Sequence, residues 1–344
     1  MLNPAPLESA RFGLRIFRTV AHSLNAAILV SELIEQQADV AILRLSSQAA
    51  NGLSEIRAYG LVPIHADTLV NYECRLQDSL PRPLKNSSEN IRVATPSDAG
   101  AITDLMRAVF SEYPNHYHAN PLLDRRGALD GYCEWAVNHI DGPGRVTWIS
   151  TVGDRVAAIA CSSFDEQSRT CQGVLHGVHP DFGGNGHYTD LIRYTQIHFR
   201  ELGYRRLNIA TQAGNLQVQK VWARESFSLA EILETFHVNA LLDTRKPGSL
   251  NSSLKFAKAA IPDKRRVLSQ FLDSASEALG NSGAAIRSCI GAILEMPFAG
   301  QPYFLDVHPH RCMDASGSVI WSATLRDREG RICGIAQFTS AGEP

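Results

Sequence analysis

The residue types with the most chemical potential lie between Gly177 and Leu191, in the run Gly-Val-His-Pro-Asp-Phe-Gly-Gly-Asn-Gly-His-Tyr-Thr-Asp-Leu. Glycines at 183, 184 and 186 let a backbone approach a ligand closely. The amphipathic stretch that follows predicts a helix from about Asn185, whose first N–H groups point back into the turn. Free amides and the helix dipole both favour negative charge, so phosphate is the natural occupant. No Lys-Ser or Lys-Thr follows the last glycine, and the spacing is too tight for a dinucleotide turn. The same spacing also suits a purely structural loop. A second concentration is Glu112-Tyr113-Pro114-Asn115-His116-Tyr117-His118, dense in groups that can titrate or hydrogen-bond. His176, two residues before Val178, should share a strand face with it, and Gln172, four residues back, should lie on that face too. As proton acceptors, His176, His116 and Glu112 are the candidates. The bland alternatives are a core histidine at 176 and surface residues in the loop.

The elements that must position these groups can be read from patterning. Arg145–Val152 and Arg155–Ser163 are β-branched runs joined by the hairpin dipeptide Gly153-Asp154. Cys171–Val178 is a strand that enters the glycine turn, and the helix beyond it closes at Leu202-Gly203-Tyr204. Tyr204–Ala210 is then a strand, Asn215 opens a helix over Leu216–Arg224, and Thr235–Leu241 is a strand. Upstream, Ile91–Ala94 is a strand, Ser97 or Asp98 caps a helix over Ala99–Val109, and Tyr132-Cys133-Glu134-Trp135 sits on another helix. The fold class this order predicts is α/β with a mixed sheet.

That order and the turn resemble the GNAT superfamily of acyl-CoA-dependent acyltransferases. Val178, Pro180, Gly184 and Gly186 match its pyrophosphate turn, while Asn215, Val218, Trp222, Ser226 and Phe227 occupy its common Asn-x-x-Ala-x-x-x-Tyr-x-x-x-Gly-Phe ending. The resemblance implies acetyl-CoA, or another acyl-CoA, as co-substrate, and no metal. It implies a binding surface of Val178, Gly183, Gly184, Asn185, Gly186, His187 and Tyr188, with Asn215 and Trp222 from the ending. Within it His187 would meet phosphate, and the Val178 N–H would face the carbonyl oxygen. The acceptor would be a small amine contacted by His116, Tyr117, His118 and Gln172, with His176, His116 or Glu112 as base. Three departures stand out: Gly183 replaces an Arg or amide side chain, Tyr188 replaces a small residue, and Trp222 replaces the Tyr that usually protonates the departing thiolate. An indole N–H donates hydrogen bonds but does not titrate usefully. Expulsion of a thiolate without an acid remains feasible, since a thiol's pKa is about 8.5.

The domains follow from composition breaks. Leu80–Asn90, with prolines at 81 and 83, and Asp243–Ser253 read as linkers. They leave an N-terminal domain over 1–80, a GNAT domain over 91–243 and a C-terminal α+β domain over 254–344. In the first, Phe12–Val20, Asp39–Leu45, Leu61–Ile64 and Thr68–Glu73 read as strands and Ser23–Gln36 as a helix. This part resembles the truncated N-terminal half of two-domain GNAT enzymes that acetylate a dTDP-linked amino sugar of the fucosamine type. It has no glycine turn and should not bind CoA. In the last, Asp263–Ala278 and Ala284–Leu294 read as helices, and Tyr303–Val307, Val319–Leu325 and Arg331–Phe338 as strands, with a hairpin over Asp327–Gly330. That ending resembles hotdog-fold thioesterases and dehydratases; a dimerisation or lid element is the alternative. The hotdog resemblance brings in an acyl carrier protein as a partner, and the dimerisation reading a homodimer. His308 and His310 flank a proline and read as structural.

With 33 basic and 35 acidic side chains, general nucleic-acid binding is not expected. No window reaches the roughly 18 apolar residues of a membrane span, and no leader pattern is read at the start. Seven cysteines without regular spacing suit a reduced cytoplasmic protein. The expected activity is acyl transfer to the amine of a small molecule, such as a nucleotide-linked amino sugar or a natural-product intermediate. The alternative is a GNAT scaffold that binds a carrier-protein- or tRNA-linked thioester without acetylating.

Overall fold

The computed structural model describes residues 2–242, 250–255, 263–281, 285–294, 297, 301–313 and 319–341. In chain order the first elements are β1 (Asn3–Pro4), α1 (Pro6–Phe12), β2 (Ile16–Ala21), α2 (Ala26–Glu35), β3 (Val40–Leu45), α3 (Ser47–Asn51) and β4 (Pro63–Arg75). There follow β5 (Ile91–Val93), α4 (Ala99–Phe110), α5 (Arg125–Asn138), β6 (Arg145–Val152), β7 (Arg155–Asp165), β8 (Thr170–Val178), α6 (His187–Glu201), β9 (Arg206–Gln212), α7 (Leu216–Arg224) and β10 (Ser228–Asn239). The last are β11 (Leu250–Lys255), α8 (Lys264–Asn281), β12 (Ala285–Ile293), β13 (Pro302–Met313), β14 (Val319–Arg326) and β15 (Ile332–Ala341).

The chain forms two compact units: residues 67–118 with 125–233, and residues 1–66 with 119–124 and 234–344. The first unit holds the mixed α/β arrangement expected around the glycine turn. Its strands run β4-β9-β8-β7-β6-β5, antiparallel except for β8 beside β9. Apolar side chains cover both faces. On one, Trp148, Cys171, Leu207 and Ile209 pack with Leu191, Ile192 and Phe199 of α6 and Trp222 of α7. On the other, Ile149, Ile159 and Leu175 pack with Ile102, Leu105 and Met106 of α4.

Segment 76–90, a linker by composition, is tied along α6. The Lys85 and Asn86 amides donate to the Asp190 carboxylate at 2.7 and 2.9 Å, and Arg193 donates to the Pro83 carbonyl at 2.6 Å. The expected cap of α4 takes another form. The Asp98 carboxylate receives the Thr95 amide at 2.8 Å and both guanidinium nitrogens of Arg92, which hold it far below the ordinary carboxylate range.

The second unit contains β1-β2-β3-β10 with α2 against it, and a five-stranded antiparallel sheet in the order β11-β13-β14-β15-β12. Val267, Phe271, Ala275 and Leu279, at helical spacing on α8, cover the latter sheet through Leu305, Val307, Trp321 and Phe338. Three expectations need correction here. Phe12 ends a helix started by Pro6, so β2 begins only at Ile16. The two strands expected over Leu61–Glu73 are one, β4. Ala284–Leu294 is not helical: it is β12, paired with β15. A Cβ on Gly291 would lie 2.8 Å from Leu272 Cδ2 and 2.9 Å from Ala336 Cβ, so close packing on α8 and β15 fixes this segment. Leu250–Ser253, assigned to the second linker, belongs to β11, while 243–249 lie outside the described residues.

Candidate functional site

The site is built on a strand pair that separates. β8 and β9 pair in parallel from Thr170↔Arg206 to Gly173↔Ile209, and the pairing stops there. β8 stays paired with β7 up to Val178, and β9 with β4 up to Gln212. A gap therefore opens beyond Gly173, within one sheet. At that level Cys161 pairs with Leu175 but Ser162 pairs with Gly173, so Val174 is an extra residue, a β-bulge. The His179 amide donates to Ala157 across β7 at 2.9 Å. By strand alternation, the amides of Val178 and His176 point the other way, into the gap.

The bulge corrects one expectation. It shifts the pleat by one residue, so Gln172 and His176 lie on opposite faces of β8. Gln172 is exposed, whereas His176 turns toward α6, its ring 5.8 Å from that of Tyr188. A Cβ on Gly173 would sit 2.9 Å from His176 Cε1, so a glycine there makes room for the imidazole.

Beyond β8, Pro180–Phe182 forms one tight 3-10 turn, then Gly184 (φ +79°) and Gly186 (φ +90°) take left-handed conformations. Gly186 is the N-cap of α6 and offers no side chain, so the amides of His187, Tyr188 and Thr189 have no intrahelical acceptor. The helix thus starts two residues later than expected. Asn185 is exposed, its carbonyl accepting from Asn86 Nδ2 at 3.1 Å. A Cβ on Gly186 would lie 3.0 Å from Lys85 Cδ, which brings the Lys85 stem over the turn. His187 contributes its backbone here, since its ring is buried and Nδ1 meets Ser150 Oγ at 2.9 Å.

Next to the gap lies a buried group of aromatic and polar side chains. Trp222 is 1% exposed, edge-on to Tyr72, and its Nε1–H donates to the Tyr188 hydroxyl oxygen at 2.8 Å. Burial raises the Tyr188 hydroxyl above its ordinary range. His176 Nε2 is buried with no hydrogen-bond partner, and burial lowers that imidazole to about 4. It is neutral at pH 7, hence able to accept a proton. Asn215 caps α7 by accepting from the Val218 amide at 3.4 Å and donates to Thr211 Oγ1 at 3.1 Å and Tyr113 Oη at 3.5 Å. Tyr113 in turn bonds the Gln212 side chain.

The structure brings His176, Tyr188 and Trp222 together, and joins Asn215 to Tyr113 and Gln212. It places Glu112 exposed just after α4. His116, buried, and Tyr117 stack at 3.9 Å in the turn His116–Ala119. His118 meets Asn115 at 3.3 Å, and burial, with the Arg125 charge, lowers its pKa. Sequence reasoning missed Tyr113, Gln212 and Lys85 as neighbours of this site. The only sequence signal for Tyr113 was its place in the titratable run.

Among the described residues no cluster of His, Cys, Asp or Glu could hold a metal, and no helix is long and apolar enough to cross a membrane. No protein-family model and no curated protein matches the chain. Three solved structures are similar to it in fold. An acetyltransferase of the GNAT family from Colwellia psychrerythraea has 13% identity and a TM-score of 0.41, over 62% of this chain and 72% of that one. A GCN5-related N-acetyltransferase from Sphaerobacter thermophilus has 12% and 0.41, over 58% and 59%. A tandem GNAT protein from the clavulanic acid biosynthesis pathway has 10% and 0.40, over 61% and 67%. Likeness at this level assigns no activity; that has to be argued from the site.

Proposed function

We propose that this chain is an acyl-CoA-dependent N-acyltransferase acting on the amine of a small molecule. The observation that carries this reading is the separation of β8 from β9 beyond Gly173, beside a glycine turn that leaves the first amides of α6 uncapped. A thioester arm laid in the gap would find the His176 and Val178 amides directed at it, as an added strand would. Diphosphate at the turn would meet the N–H groups of His187, Tyr188 and Thr189. Attack by a neutral amine on the thioester carbonyl builds charge on oxygen, which the Val178 N–H is placed to stabilise. The amine proton passes to a base, directly or through water, and His176 is the acceptor next to the gap. A nucleotide-linked amino sugar is the acceptor class proposed, with His116, Tyr117 and His118 as its contacts and the cytoplasm as its compartment.

A second reading, a thioester-binding scaffold served by a carrier protein, is favoured by the C-terminal sheet. The order β11-β13-β14-β15-β12, with the single helix α8 between the first and second strands in sequence, is similar to hotdog folds. Calorimetric titration with acetyl-CoA and CoA, on the wild type and Gly186→Trp, separates the two. Micromolar binding lost in the variant supports the first; no binding of either ligand to the wild type removes it in favour of carrier-linked thioesters.

A further inference from the structure

We infer that Tyr188 is the proton donor to the departing thiolate, with the Trp222 indole N–H holding its phenolic oxygen. The inference rests on the acyl-CoA reading above and deepens it. Two buried groups near the gap have unspent hydrogen-bonding capacity. The Tyr188 oxygen already accepts from Trp222 Nε1 at 2.8 Å, so its own O–H needs an acceptor elsewhere, and no side chain among the described residues takes it. His176 Nε2, on the neighbouring ring, has no partner at all. Buried polar groups are normally paired, so two such vacancies side by side mark the place of a polar ligand atom or water.

A sulfur atom at the end of a thioester arm in the β8–β9 gap suits both. Trp222 cannot give up a proton, but its N–H stabilises the phenolate that remains once Tyr188 has done so. The step balances. The amine nitrogen bonds to the thioester carbon, the carbon–sulfur bond breaks, and sulfur takes the Tyr188 proton. The amine proton goes to His176, directly or through one water, and returns from His176 to the tyrosinate. The products are the amide and a neutral thiol, with the protein unchanged. Tyr188 and Trp222 thus divide between them what one tyrosine on α7 could do alone.

The test needs no acceptor. CoA is saturated onto the wild type, Tyr188→Phe and Trp222→Phe, and its thiol is titrated through the ultraviolet thiolate band, using difference spectra against ligand-free protein. A phenol donating to sulfur stabilises the thiolate, so wild-type-bound CoA should titrate about one unit below free thiol, roughly a tenfold shift. Tyr188→Phe should abolish the shift, and Trp222→Phe should reduce it in the same direction. Circular dichroism establishes folding, and if Tyr188→Phe fails to fold, Trp222→Phe decides. Equal thiol titration in the folded variants and the wild type, with CoA bound, overturns Tyr188 and leaves the acyl-CoA reading standing. No CoA binding to the wild type overturns both.

Discussion

The molecule contains two parallel β-α-β crossovers, β2-α2-β3 in one unit and β8-α6-β9 in the other. In the first, pairing runs unbroken from Ile16↔Val40 to Ala21↔Leu45, and the helix is capped by Asn25, whose side chain accepts from the Ile28 amide at 3.0 Å. In the second, pairing ends at Gly173↔Ile209 and the helix opens on Gly186, without a side-chain cap. The first satisfies its own backbone; the second leaves strand amides and helix amides pointing into one space. The connection is the same in both, and the ligand-binding capacity differs. It depends on where the ladder stops and on what stands at the N-cap.

The sharpest way to break the contrast is to unseat α6. Arg193 makes a two-pronged ion pair with Glu225 at 2.8 and 2.9 Å, with both side chains at least 93% buried. Arg193→Ala leaves Glu225 buried and alone, and should cost about 3–5 kcal/mol in urea unfolding.

Next in size is hydrogen exchange. With CoA at about 100 times its Kd, stabilisation of about 2.7 kcal/mol corresponds to roughly 100-fold slower exchange of amides whose opening is incompatible with binding. The His176 and Val178 amides should slow by that order, and the Ile16–Ala21 amides should not change. Equal protection in both crossovers would mean that the gap is not the binding element.

Acidification should act on each region through one histidine. Burial lowers His176 on β8 to about 4, and burial, with the Arg18 charge, lowers His237 on β10 to about 3. Both values lie below the unfolded value of about 6.5, so between that pH and the folded value the unfolded chain takes up a proton that the native one refuses. Stability is fully present above about pH 6.5 and falls with acid by about 1.4 kcal/mol per pH unit for each histidine. Urea midpoints from pH 7 to 4 should show a shallower decline in His176→Asn and in His237→Asn. Only the His176 contribution should respond to added CoA.

The smallest effect belongs to the closed crossover. Asn25→Ala removes its cap, and should lower stability by about 1 kcal/mol while leaving the CoA titration as it was.

Glycine, proline and helix-cap chemistry made the core of the site legible. The turn, the helices flanking it and the strand order of the first unit could be traced because Gly184, Gly186 and Asn215 have local conformational reasons for their positions. Features that arise from contact could not. Nothing about Val174 announces a bulge, and so the period-2 rule placed Gln172 beside His176. Prolines at 81 and 83 suggested a free linker, yet the amides of Lys85 and Asn86 are taken up by Asp190, more than a hundred positions away. Ala285–Ile293 shows the same limit, because partnership with β15 outweighed local pattern.

The bulge at Val174 also bears on how this chain can tolerate change in length. Deleting one residue from a regular strand end usually trims it, but deletion here would restore the plain alternation and rotate everything downstream by half a turn. Leu175 and Gly177 would then face the gap, and the histidine and the valine would press into the α4 core. Substitutions can adjust this strand gradually, whereas a single-codon loss would turn its working side inward at once.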